Sequence, residues 1–168
     1  MKKYEDYVKE AVEKKLNERF ANSSLEHAEI LVKYIFLDAK HNVKILTDSF
    51  NEYFYSLVLE HIKNYLKKDN KNSLEIIVKE YKNNSILDFL QANFSKQVHI
   101  IKKNKDELPK DKDTGEIANY IFNDNNAYRY EYSDKDLQYG IVEAIANFNN
   151  KEEVNILLHN FEKIKKSA

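Results

Sequence analysis

The chain has 168 residues, 42% apolar and 33% charged, enough to bury a core and too apolar for a disordered chain. Its 27 basic and 28 acidic side chains leave a formal net charge of -1, which argues against a dedicated nucleic-acid binder; the absence of cysteine removes disulfides and thiolate metal sites. No apolar run approaches the roughly 18 residues that span a bilayer, and the charged start MKKYEDYVKE lacks a signal-peptide segment, so no membrane partner and a cytoplasmic location are expected.

Residues 3–20 carry Tyr4, Tyr7, Val8, Ala11, Val12, Leu16 and Phe20 at spacings of three and four, predicting an amphipathic helix. Ser23 with Glu26 makes a capping-box pattern for a second helix over 24–40, and His41-Asn42 reads as its exit. The β-branched run Val43–Thr47 predicts a first strand, and Asp48-Ser49-Phe50-Asn51 turns the chain into a helix over 52–68. A second strand is predicted at 74–78, a short helix capped by Asn83-Asn84-Ser85, and a third strand at 98–101. Alternating strands and helices imply parallel crossovers in an α/β sheet with helices on both faces.

Lys102–Thr114 holds the only proline, Pro109, and reads as an exposed loop. Asn119–Tyr132, NYIFNDNNAYRYEY, places two aromatic, β-prone runs around Asp124-Asn125-Asn126, which predicts a β-hairpin. Ser133-Asp134 reads as a polar turn, part of 141–150 as a further strand, and 151–166 as a final helix. The organisation expected is one domain, with 1–23 an N-terminal helical extension and 24–168 the α/β core.

Chemistry-bearing patterns are few. His27, His41, His61, His99 and His159 show no metal-ligand spacing, and with glycine only at 115 and 140 no phosphate-cradling loop forms, so no metal and no cofactor are expected. Strand Val43–Thr47 delivers Asp48, Ser49 and Asn51 to the carboxyl edge of the sheet, where ligands bind in such folds; the simpler reading is that Asp48 or Ser49 caps the next helix. In the hairpin, alternation puts Ala127, Arg129 and Glu131 on one side and Tyr128, Tyr130 and Tyr132 on the other. Arg129 and Glu131, near Asp124, either bind a ligand anion or form a buried ion pair, in which Arg129 meets Glu131 or a carboxylate on an adjacent strand and fixes register, as buried charges are normally paired.

The element order around this hairpin resembles one half of a phospholipase D-like fold. The correspondence runs from VKILTDSFN at 43–51 through LEIIV and VHIIK to NYIFNDNNAYRYEY, and closes on AIANFNNKEEVNILLHNFEKI at 144–164. Active members carry H-x-K-x4-D, in which His attacks phosphorus and Lys stabilises the phosphate. Aligned on Asp124, the histidine position is Ile117 and the lysine position Asn119, so only the aspartate matches. The following G-S-x-N falls on Glu131, Tyr132 and Asp134, and a glutamate there repels a phosphodiester. The resemblance implies a non-catalytic domain acting as a protein-interaction or assembly module, paired with a second copy or another protein. Two alternatives stand beside it: a metal-dependent nuclease or phosphodiesterase using Asp48, Asp124 and Glu131, and a nucleic-acid or anion-binding remnant using Arg129 and scattered lysines.

Overall fold

The computed structural model describes residues 1–136 and 141–167. Its elements follow in the order α1 (Tyr4–Glu13), β1 (Phe20–Asn22), α2 (Leu25–Asp38), β2 (Asn42–Thr47), α3 (Glu52–Lys68), β3 (Ser73–Lys79) and α4 (Ser85–Asn93). Then come β4 (Val98–Lys103), a single 3-10 turn at Lys105–Glu107, β5 (Asn119–Asn123), β6 (Tyr128–Asp136), β7 (Ile141–Asn147) and α5 (Lys151–Lys166). The strands form one mixed sheet in the order β1-β7-β6-β5-β2-β3-β4, parallel across β2, β3 and β4 and antiparallel from β2 outward through β5, β6, β7 and β1. This is the α/β architecture expected from the alternation of elements.

Strand alternation divides the core in two. Val43, Ile45, Leu74, Ile76 and Ile121 face α1 to α4, packing on Val8, Leu31, Ile35, Val58, Ile62, Leu87 and Leu90. Leu46, Ile77, Tyr120, Phe122 and Tyr128 face the other way, onto Val154, Leu157 and Phe161 of α5 and Leu108 and Ile117 of the connecting loop. Four helices thus lie on one face and one on the other.

Several expectations need correcting. The first helix stops at Glu13 rather than near Phe20, because Lys15 takes a left-handed φ of 53°. Lys15 N–H then donates to Val12 O and Leu16 N–H to Ala11 O, the two bonds of a Schellman turn without its usual glycine. Phe20–Asn22 becomes an edge strand on β7, so part of the presumed N-terminal extension belongs to the sheet. The cap of α2 is Ser24, whose hydroxyl accepts from His27 N–H, not Ser23. Ser133-Asp134 is not a turn: β6 continues to Asp136, with irregular register after Glu131 and after Ser133. The loop after β4 is not wholly exposed either, since Leu108 is buried against α5's side of the sheet.

The hairpin forms as expected, with Asn126 at φ 68° in its turn. Asn123 stabilises it: the Asn123 side-chain oxygen accepts from Asn125 N–H and Ala127 N–H, while its Nδ2 donates to Ile35 O at the end of α2. No helix among the described residues is long and apolar enough to cross a membrane.

Candidate functional site

A small pocket opens where β2 ends, under the turn that starts α3. Its wall is built by Thr47, Ser49, Asn51, Phe54, Tyr55 and Val32, and by Asn119, Arg129 and Glu131 from the hairpin. Its volume is about 30 Å³, room for one or two waters at the roughly 10–15 Å³ that each needs. Three of the four residues expected to bind a ligand, Ser49, Asn51 and Arg129, therefore line one site, together with Glu131.

Asn51, rather than Asp48 or Ser49, caps α3: its side-chain oxygen accepts from Phe54 N–H at 2.9 Å. Asp48 is held at the rim by Lys79 at 2.7 Å and does not line the pocket. Ser49 is exposed at the mouth. Thr47 and Asn119 make the floor rigid, since Asn119 Oδ1 accepts from the Thr47 hydroxyl at 2.9 Å and from Asp48 N–H at 2.8 Å, and its Nδ2 donates to Ile117 O at 3.1 Å.

Arg129 is the central charge. Only 4% exposed, it donates through Nη1 to Glu131 at 3.0 Å and through Nε to Asn22 Oδ1 at 3.2 Å. The Phe54 ring lies 5.9 Å from the guanidinium carbon, within cation–π range. The third nitrogen, Nη2, is buried without a hydrogen-bond partner. Nearby, the buried Tyr4 hydroxyl also has none, and burial pushes its phenol up to about 12 against the opposing pull of Arg129. Tyr55, buried beside the pair, is pushed higher still by burial and by the Glu131 charge. Both phenols are neutral hydroxyls at any physiological pH.

Asp124 sits elsewhere. It lies at the turn end of the hairpin, whereas Asn119 and Glu131 pair at the opposite end of the same ladder. Its carboxylate accepts from Lys40 N–H at 2.8 Å, His41 N–H at 2.9 Å and Asn42 Nδ2 at 3.2 Å, tying the turn to the entry of β2. Asp48, Asp124 and Glu131 thus do not converge as metal-assisted hydrolysis requires. Among the described residues no cluster of three His, Asp or Glu side chains is placed to hold a metal ion. Asp134 lies among residues whose side chains fall outside the described ones.

The opposite sheet face carries a second feature. Beyond Tyr128 and Tyr130, which pack toward α5, it presents half-exposed Tyr132 and Ile145 and exposed Ala21. Tyr120 and Tyr130 stack at 6.0 Å between centroids, Tyr130 and Tyr132 meet at 5.4 Å, and the Tyr130 hydroxyl donates to Asp111 at 2.8 Å. An open cleft of about 440 Å³ runs along these tyrosines, with Arg19 and Glu153 at its sides.

Sequence reasoning missed Asn22, Thr47, Phe54, Tyr55 and the floor role of Asn119. Asn119 is two residues from Ile121, the cross-strand partner of Arg129, so period-two alternation carried a signal for it; Asn22 reaches the site only through a strand that three residues do not announce.

No protein-family model matches the chain, and no curated protein matches its sequence. The fold is similar to TrmBL2, an archaeal chromatin protein whose structure shows a novel mode of DNA binding: TM-score 0.55 at 9% identity, over 98% of this chain and 59% of that one. It is also similar to phosphatidylserine synthase from Haemophilus influenzae Rd KW20: TM-score 0.56 at 14% identity, over 88% of this chain and 37% of that one. The chain spans less than two thirds of either structure's length, and at these identities the likeness is one of fold.

Proposed function

We propose that this chain is a non-catalytic domain of the phospholipase D-like type, serving as an assembly module that pairs with a second copy of itself. The observation that carries the loss of catalysis is the use made of Asn119. At the position aligned with the family's lysine it carries no charge, and both ends of its amide are used to tie β5 to the end of β2. Ile117, at the nucleophile position, is packed against the α5 side of the sheet and offers neither lone pair nor proton. Asp124, the remaining match, is engaged by backbone N–H groups at the other end of the hairpin. The fold likeness to a phosphatidylserine synthase supports this reading of the scaffold. The likeness to a chromatin protein over 98% of this chain supports the use of such a fold in a protein other than an enzyme of lipid synthesis.

Pairing is supported by the tyrosine face. Tyr132, Ile145 and Ala21 present apolar surface, and Arg19 and Glu153 flank the cleft with charges of both signs. A two-fold contact brings the same patch together from both copies, so a patch carrying both signs can match itself. Aromatic residues at the centre with polar ones around them is the common anatomy of such interfaces.

Sedimentation equilibrium over a micromolar concentration series tests the reading. A dimer is expected, converted to monomer by Tyr132→Glu with Ile145→Glu. A strict monomer at high micromolar concentration, or a dimer indifferent to both changes, overturns the pairing. Hydrolysis of phosphodiesters that disappears in Asp124→Ala overturns the loss of catalysis. Binding to DNA that weakens steeply with salt favours a nucleic-acid module instead.

A further inference from the structure

Helices α2 and α3 leave a cleft between them, on the face of the sheet away from the tyrosines. Its volume is about 430 Å³, within the roughly 300–1,000 Å³ of small-molecule pockets. We propose that it binds a small phosphorylated molecule, with the phosphate between Lys40 and Lys68 and a ring or apolar portion over Leu37. The inference goes beyond the assembly reading above and does not depend on it.

The cleft follows from how the two helices lie. Each ends just before one of the parallel strands β2 and β3, so they run side by side in one direction. Lys33, Phe36, Leu37 and Lys40 of α2 line it at offsets of three, four and seven residues. His61, Asn64, Tyr65 and Lys68 of α3 line it at the same offsets. The two rows lie level: the Lys33 charge acts on His61 at one end, and at the other Ser73 N–H donates to His41 O at 2.8 Å. Phe36 and Tyr65 are buried, while Leu37 is 59% exposed, open to a ligand that would cover it.

The two ends differ in charge. Lys33 is paired with Glu5 at 2.7 Å and also feels Glu29. Burial and the Lys33 charge hold His61 below its ordinary value of 6.5. At the other end, among the described residues, Nζ of Lys40 and Nζ of Lys68 make no ion pair and no hydrogen bond. The acids there are already engaged, Asp69 by Lys71 N–H at 2.9 Å and Asp124 by the N–H groups of Lys40 and His41 and by Asn42.

Nor are these lysines occupied in closing the helix ends. At the end of α2, Asn123 donates to Ile35 O and Asn125 to Asp38 O; at the end of α3, Asn72 donates to Tyr65 O and Gln97 to Leu66 O. Amide side chains thus satisfy the last carbonyls. The ammonium groups face the negative ends of two helix dipoles and two engaged acids, and neither touches an acceptor. A phosphate monoester, carrying about -1.5 to -2 near neutral pH, brings oxygens enough for both.

His41 completes this end. Asn72, 4% exposed, spends its Nδ2 on Tyr65 O, so its Oδ1 faces His41 Nδ1 at 3.0 Å and that nitrogen carries the proton. The ring is held in place, and Nε2 on its other side has no partner among the described residues.

Nucleotides and sugar phosphates share this chemistry, and the experiment separates them. Labelled protein is titrated at constant ionic strength with adenosine monophosphate and adenosine, with glucose 6-phosphate and glucose, with inorganic phosphate and acetate, and with a DNA oligonucleotide. The expected result is a saturable shift of the His41 imidazole and Leu37 methyl resonances with one phosphorylated compound, about tenfold or more tighter than with its unphosphorylated counterpart or with inorganic phosphate. Lys40→Gln with Lys68→Gln, both at exposed positions, is expected to weaken that binding by about tenfold or more while the rest of the spectrum stays as it was. Leu37→Ser is expected to weaken the phosphorylated compound and leave inorganic phosphate unchanged. No saturable shift with any small probe, equal binding of acetate and phosphate, or affinity indifferent to the paired lysine change overturns the proposal. Binding of the oligonucleotide alone, falling steeply with salt, overturns it in favour of a nucleic-acid surface.

Discussion

Arg129 and Glu131 stand two residues apart on one strand and meet at 3.0 Å, with the guanidinium 4% exposed and the carboxylate at the pocket wall. The pair decides the electrostatics of the site, and its two members are not equivalent. Removing the carboxylate leaves a buried positive charge without compensation, which costs about 3–5 kcal/mol in comparable pairs. Replacing the arginine by an apolar side chain of similar length leaves a carboxylate with more access to water than the guanidinium has, 14% exposed against 4%. Glu131→Gln is therefore expected to destabilise the fold by several kcal/mol and Arg129→Met by clearly less, as read from urea midpoints at constant slope. Equal losses would show that the pair is not the source of the stability.

Asn119 offers a second test, since one amide joins two strand ends. Asn119→Ala removes the acceptor of the Thr47 hydroxyl and the Asp48 N–H together. Leaving such groups unsatisfied costs about 1–3 kcal/mol each where they are shielded from water. A loss of that order in urea unfolding is expected. Building the missing chemistry with Ile117→His and Asn119→Lys is expected to yield no phosphodiesterase activity against bis(p-nitrophenyl) phosphate, because Ile117 packs on the α5 side of the sheet and Asp124 lies at the far end of the hairpin from Asn119. Measurable turnover by that double variant would show that the three positions do converge.

The distribution of legible and illegible features has physical causes. The span of helix α3 was readable because its apolar positions recur at helical spacing through Leu66, although its cap is Asn51 and not Asp48 or Ser49. Strand alternation placed Arg129 and Glu131 on one side of the hairpin, and their pairing was one of the readings it left open. The end of α1 was not readable, because a lysine takes the left-handed position that glycine usually marks. Strand β1 was hidden because three residues, Phe-Ala-Asn, carry no period, and its place is set by pairing with Ala144, Ile145 and Ala146 far along the chain. Asparagines were the deeper difficulty. Asn22, Asn119, Asn123 and Asn147 are all buried or half-buried and bonded, yet in a chain so rich in asparagine their side chains look like loop polarity. Asp124 shows the same limit from the other direction. Motif alignment marked it as a surviving catalytic group, but only the fold shows that its partners are backbone N–H groups.

That placement gives Asp124 a structural signature. Its carboxylate holds Lys40 N–H and His41 N–H at the exit of α2, and charge-assisted bonds of this kind contribute about 1.5–3 kcal/mol when well shielded. Asp124 is exposed, so Asp124→Ala is expected to cost no more than the lower end of that range. Asp124→Asn, which keeps one acceptor oxygen, is expected to recover part of the loss. Amide exchange at Lys40 and His41 should quicken in both. Unchanged exchange at those two amides would remove the assignment.

Glu75 provides the pH dependence. It lies on the α5 side of β3, where it accepts from Lys44 on β2 and from Lys165 on α5 at 2.5 Å. Burial acts to raise its pKa, but the bonds from Lys165 and Lys44 outweigh burial and hold the carboxyl below its ordinary value of 4.5. A carboxyl depressed by folding contributes stability that is present above its unfolded pKa and is lost as pH falls through the folded one. Lys165 shows the partner effect, raised above 10.5 chiefly by its bond to Glu75, so its contribution persists until pH climbs past that raised value. The pair therefore supports the docking of α5 throughout the neutral range and fails first on the acid side. In Glu75→Gln the thermal midpoint is expected to fall relative to wild type at pH 7, and the gap should narrow as pH drops below 4.5, where the wild-type carboxylate protonates too. A gap of constant size from pH 7 to pH 3 would mean that Glu75 contributes packing rather than charge.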